Sequence, residues 1–204
     1  MKRVVSAALV VSAALLAAAP ASAHFILLAP DAWVEVNQLG DPQKAAPCGT
    51  SDITAGKPTG KVTALKGGDT AHIKIKETIY HPGHYRVALS VLDRKELPPD
   101  PVAETKDSPR GPISVSAKID PAPKPPVLAD GLFVHHERPA PDAFWETDIK
   151  LPNINCALCT LQVMQFMEEH GPNKEGDFSY HHCAGLKITA NPALPADKRW
   201  PGQK

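Results

Sequence analysis

The chain has 204 residues with 22 Lys and Arg against 22 Asp and Glu, a formal charge of 0. That balance offers no basic footprint for nucleic acid and no polybasic patch for a membrane surface. The length suits one ordinary domain with a real core, and beyond residue 19 no second apolar run is long enough to suggest a spanning helix.

Residues 1–23 have the form of a secretory leader. Lys2 and Arg3 precede an apolar run from Val4 to Ala19, and Ala21-Ser22-Ala23 supplies an A-x-A cleavage site. Cleavage after Ala23 makes His24 the first residue of a periplasmic or secreted protein. It also leaves 20 basic and 22 acidic residues, a formal charge near −2. A terminal histidine carries an α-amine and an imidazole that can grip one metal ion together. Residues 24–190 are expected to form the domain, with 191–204 as a loose C-terminal tail.

Within that domain apolar and polar residues alternate with period two, the pattern of half-buried strands. Such runs begin at His24–Leu28 and recur at Ala71–Lys76, Tyr85–Val91, Ile113–Ile119, Phe144–Leu151, Cys159–Met167 and Cys183–Thr189. No stretch keeps a helical period beyond two turns. Seven or eight short strands predict an all-β antiparallel sandwich. Residues 29–60 are expected to cap one end. Residues 95–141 hold 11 of the 22 prolines and suggest two stiff connections on either side of the strand at 113–119.

Cys48, Cys156, Cys159 and Cys183 are an even set, which in an exported protein implies two disulfides. Cys156-x-x-Cys159 alone would also suit redox or zinc chemistry. Against that, a strand-like run follows it and no second C-x-x-C completes a zinc site.

Two of the nine histidines stand out as partners for His24. His81 lies before Pro82-Gly83, a turn between two strand patterns, where side chains converge. His84 opens the following strand and is the alternative. In Ser179-Tyr180-His181-His182-Cys183, Tyr180 is placed three residues before a cysteine that would fix the strand's start. His72 alternates with lysines on a strand face and is expected to be solvated, and His170, before Gly171-Pro172, is expected to lie far from the other motifs.

These pieces together resemble the lytic polysaccharide monooxygenases, above all the bacterial polysaccharide-monooxygenase-like proteins. The resemblance is carried by His24 after the leader, by Ala46-Pro47-Cys48-Gly49, and by the His81-Pro82-Gly83 turn. Leu151-Pro152-Asn153 ahead of Cys156-Ala157-Leu158-Cys159-Thr160-Leu161-Gln162 and Tyr180-His181-His182-Cys183-Ala184 continue it in the family's order. It implies an immunoglobulin- or fibronectin-III-like sandwich and one copper ion in a histidine brace. The ligands would be the amine and ring of His24 and the ring of His81, with Tyr180 on the axial side. Three nitrogens with an open position suit Cu(II). It also implies disulfides Cys48–Cys183 and Cys156–Cys159.

The family's Gln two residues before the axial Tyr is Phe178 here, and His182 is the candidate for its supporting role. Aromatics for a sugar-stacking face are few, namely Trp33, Trp145, Trp200, Tyr80 and Tyr85. The function implied is oxidative cleavage of glycosidic bonds in a polysaccharide by a monomer fed by an external electron donor. A non-enzymatic periplasmic copper carrier is the alternative, and a purely structural sandwich the third possibility.

Overall fold

The computed structural model describes residues 23–50 and 56–203. The leader, apart from Ala23, lies outside them. Ten strands follow in order: β1 (His24–Ala29), β2 (Val62–Lys66), β3 (Thr70–Ile79), β4 (Gly83–Ser90), β5 (Ala103–Ser108), β6 (Gly111–Ala117), β7 (Val127–His135), β8 (Trp145–Lys150), β9 (Cys156–Met167) and β10 (Ser179–Thr189). They form a three-stranded sheet β1-β3-β8, a five-stranded sheet β2-β10-β9-β4-β7, and a separate hairpin β5-β6. All pairings are antiparallel except β2 with β10, which is parallel.

Alternation explains the packing. Phe25, Leu27, Ile73, Ile75 and Ile149 of the small sheet meet Tyr85, Val87, Leu89, Leu161, Val163, Leu186 and Ile188 of the large one in a single core. Each fully buried side chain of this size contributes about 1.5–3 kcal/mol. The result is the all-β sandwich that the period-two pattern predicts. On the outer face of the large sheet Ala88, Leu97 and Cys183 pack with Cys48 in a smaller cluster.

Both disulfides join the expected cysteines, Cys48 with Cys183 and Cys156 with Cys159. The first spans 135 residues, and a closed loop of that length stabilises by roughly 4–5 kcal/mol. Among the described residues no helix is long and apolar enough to cross a membrane.

Three strands were not legible as such. β2 is a half-exposed edge strand, and β5 (Ala103-Glu104-Thr105-Lys106-Asp107-Ser108) is polar because it packs on no core. β7 is interrupted by Asp130 and Gly131. The proline-rich span is therefore a hairpin followed by a long strand, and not merely two connections. The end of the chain differs too. Asn153 Nδ2 donates to the carbonyls of Asn191, Leu194 and Pro195, and Trp200 is buried in the core. Residues 191–203 are a strap, not a loose tail.

One end of the sandwich collects the sequence motifs. His24 sits opposite Ile79, so the start of β1 lies beside the β3–β4 turn that carries His81. Gly83, with φ 149°, lets that turn press on β9. A Cβ there would lie 2.0 Å from the Phe166 carbonyl oxygen. Tyr180 is paired with Gln165, and Gln165 in turn with Tyr85.

Candidate metal centre

Four rings form a continuous chain at this end. His24 meets Tyr180 edge-on at 5.4 Å between centroids, Tyr180 lies 6.0 Å from His170, and His170 lies 4.9 Å from His81. All four are buried. His24 and His81 are thus linked at one end of the sandwich through Tyr180 and His170. His84 is not. On β4 it alternates to the outer face and packs at a tilt against Phe166.

The hydrogen bonds assign nitrogens. His81 Nδ1 is 3.1 Å from the carbonyl oxygen of Tyr80. As a donor there it must be protonated, which leaves Nε2 with its lone pair. That Nε2 is buried and without a hydrogen-bond partner. Burial lowers the His81 pKa, favouring the neutral, ligating form. His170 repeats the arrangement. Its Nδ1 donates to the Gly171 carbonyl, its Nε2 is buried and unpartnered, and burial pushes its pKa down to about 4.

At His24, Nε2 lies 3.3 Å from Asp41 Oδ2. A chelate with the residue's own α-amine uses Nδ1, the nitrogen on the other side of the ring. The Asp41 loop is held against β1 by several bonds. Asn37 Oδ1 accepts from the backbone N–H groups of Leu39, Gly40 and Asp41. Phe25 N–H donates to Gln43 Oε1. Gly40, with φ 108°, is needed because a Cβ would fall 2.0 Å from the Phe25 oxygen.

Two assignments are corrected. His170, expected to stand apart, touches His81 and Tyr180 because the loop after β9 folds back. Glu169 and His170 pair with Ser114 of the hairpin, whose Oγ also donates to the Met167 carbonyl. His182 faces the core and not the ring chain, since its Nε2 donates to the Phe25 carbonyl at 2.9 Å. It supports the backbone of β1 just past His24. Tyr180 lies edge-on to His24, and its hydroxyl donates to Asn173 Oδ1 at 3.3 Å.

Beneath the His81 turn lies a polar cluster that sequence reading missed. Glu77 Oε1 accepts from Tyr85 Oη at 2.9 Å and from Gln165 Nε2 at 3.0 Å, and forms an ion pair with His135 Nε2 at 3.0 Å. Burial opposes protonation of His135, but the Glu77 carboxylate outweighs it and raises the His135 pKa. No periodicity marks Glu77 as buried. It falls near the end of an exposed-looking lysine strand. His72 is exposed as expected, paired with Asp148 and Glu146.

A metal fits part of this arrangement. The buried, unpartnered Nε2 of His81 asks for a ligand, and a brace needs only that ring plus the ring and amine of His24. Among the described residues no three His, Cys, Asp or Glu side chains converge on one metal position. Compared with known proteins, the chain matches no family model and no curated protein.

His182 gives a pH prediction that is independent of metal. Burial pushes its pKa down to about 4 from 6.5, so the folded state keeps it neutral while the unfolded chain protonates below 6.5. Its contribution is therefore complete above pH 6.5 and is lost as pH falls toward 4, about 3 kcal/mol over that interval. Urea unfolding of the copper-free protein at pH 7 and pH 4 is expected to show a smaller loss in His182→Asn than in the parent. Equal losses would remove His182 from the acid sensitivity.

Proposed function

We propose that this chain is an exported mono-copper protein of the lytic polysaccharide monooxygenase-like type. It would cleave glycosidic bonds oxidatively with O2 or H2O2 and an external electron donor. The observation that carries this reading is the His81 imidazole, tautomerically fixed by the Tyr80 carbonyl, with its buried Nε2 unpartnered beside the start of β1. Export is supported by the leader pattern and by two disulfides, which persist in oxidising compartments.

In this reading His24 binds through its α-amine and Nδ1, and His81 through Nε2. Asp41 accepts from His24 Nε2–H and holds that ring in place, as carboxylates do behind metal-bound histidines. Tyr180 and His170 would pack beside the ligands His24 and His81. His182 acts through the Phe25 carbonyl by fixing the strand that presents His24. Copper, when bound, supplies the one-electron chemistry that activates dioxygen or peroxide.

One observation favours a copper carrier instead. His24 and His81 are only 4% and 7% exposed, where a monooxygenase of this type would present its ligands openly. Peroxide consumption by the processed Cu(II) protein with a reductant separates the two. An oxidase consumes peroxide and releases oxidised sugars from a polysaccharide, and both activities vanish in His81→Ala. Tight copper binding with no consumption above that of His81→Ala would establish the carrier.

A further inference from the structure

A cleft of about 780 Å³ lies between Lys44, the tip of the β5–β6 hairpin and the loop Glu169–Asn173; of the four rings His170 and Tyr180 line it, and His24 and His81 do not. That size falls in the range of small-molecule and oligomer sites. The cleft has a built wall. The β5–β6 hairpin belongs to neither sheet of the sandwich, yet it is fixed to the His170 loop by Ser114. Ser114 N–H donates to the His170 carbonyl at 3.0 Å, Glu169 N–H to the Ser114 carbonyl at 2.9 Å, and Ser114 Oγ to the Met167 carbonyl at 2.6 Å. Ser114 is fully buried, while Glu104, Lys106 and Arg110 are exposed. A hairpin that adds little to the core is thus held rigidly beside the candidate centre.

The charges of the cleft are uneven. Lys44 and Arg110, the latter at the hairpin tip, both line the cleft. Among the described residues neither cation has an ion-pair partner. The one acid lining the cleft, Glu169, acts electrostatically on His81 and Tyr80 and so lies toward the His81 turn. Pro109, Pro112, Ile113 and Pro172 supply apolar faces, and Ser108 and Asn173 polar groups.

We infer that this cleft is the substrate subsite and that it takes an anionic glycan, a chain bearing carboxylates on its sugar rings, held between Lys44 and Arg110. Prolines and Ile113 pack on the C–H faces of the pyranoses, while the two cations pair with carboxylates. A neutral crystalline surface would instead need a flat aromatic plane, and the exposed aromatic Phe144 is on β8's approach, covered by Lys74 and Lys76. The inference rests on the copper reading for which end of the cleft reacts, but not for binding itself.

The test uses processed, copper-free protein titrated by calorimetry with hexagalacturonate, cellohexaose and a hexaglutamate peptide at two salt concentrations. Hexagalacturonate is expected to bind at least tenfold more tightly than either alternative and to weaken with salt. Lys44→Gln with Arg110→Gln is expected to cost a further tenfold or more while leaving Cu(II) affinity unchanged, since neither side chain is a ligand. Equal binding of cellohexaose, equal binding of the peptide, no binding of any probe, or an unaffected double variant would each overturn the inference. Acid-sugar binding by a protein that fails to take up copper would retire the copper reading and leave the cleft assignment standing.

Discussion

His81→Ala is expected to abolish tight Cu(II) binding, whereas His72→Ala leaves it unchanged. The reason is the tautomer. With Nδ1–H donated to the Tyr80 carbonyl, His81 offers Nε2 and nothing else, and alanine offers no donor at all. His170→Ala is expected to fall between, weakening copper by the roughly 10–100-fold seen when a group supporting a metal ligand is lost, because its ring packs against His81 at 4.9 Å. Calorimetric titration of the three variants checks the order. Parent-like affinity in His81→Ala would end the brace assignment. Loss in His84→Ala instead would move the second ligand to β4, against the outward orientation of that ring.

The sandwich was legible where one face of a strand is buried and the other wet. β3, β8 and the inner positions of β10 alternate cleanly, and the core follows them. What the sequence did not display is long-range. β6 alternates and reads as a strand, but its partner β5 is polar and is held through Ser114 to a loop and not by a core, so no hydrophobic period marks the two as a pair. The centre shows the same division. His24, His81 and Tyr180 stand next to a leader, a turn and a cysteine, each a local signal. His170 and Asp41 sit in loops whose reach depends on Asn37, Gly40 and Gln43 holding one segment and Ser114 the other. Nothing nearby in sequence ties Asp41 to His24, 17 residues away, and the burial of Glu77 depends on Tyr85, Gln165 and His135 arriving from three other positions.

The largest expected effect concerns the nitrogen of His24 itself. A protein that begins at His24 is expected to bind Cu(II) tightly, and one that carries a single extra residue before it, such as Ala23, is expected to bind orders of magnitude more weakly. In the longer chain that nitrogen is a peptide amide whose lone pair is delocalised into the carbonyl. In the processed chain it is an α-amine with a reference pKa of about 7.7–8.0, and copper can displace its proton. Affinity in the processed protein should therefore fall as pH drops, since each ligand must be deprotonated. The amine and Nδ1 of one residue close a single chelate ring, an advantage that His81 alone does not supply. β1 is held from Phe25 onward by Gln43 and His182, but Ala23 is itself buried in the core, so unfolding curves of both proteins are measured alongside to separate a lost ligand from a lost structure. Titrating both proteins with Cu(II) at neutral pH decides it. Equal affinities would mean that any metal sits away from the terminus, and that the brace reading fails at its centre.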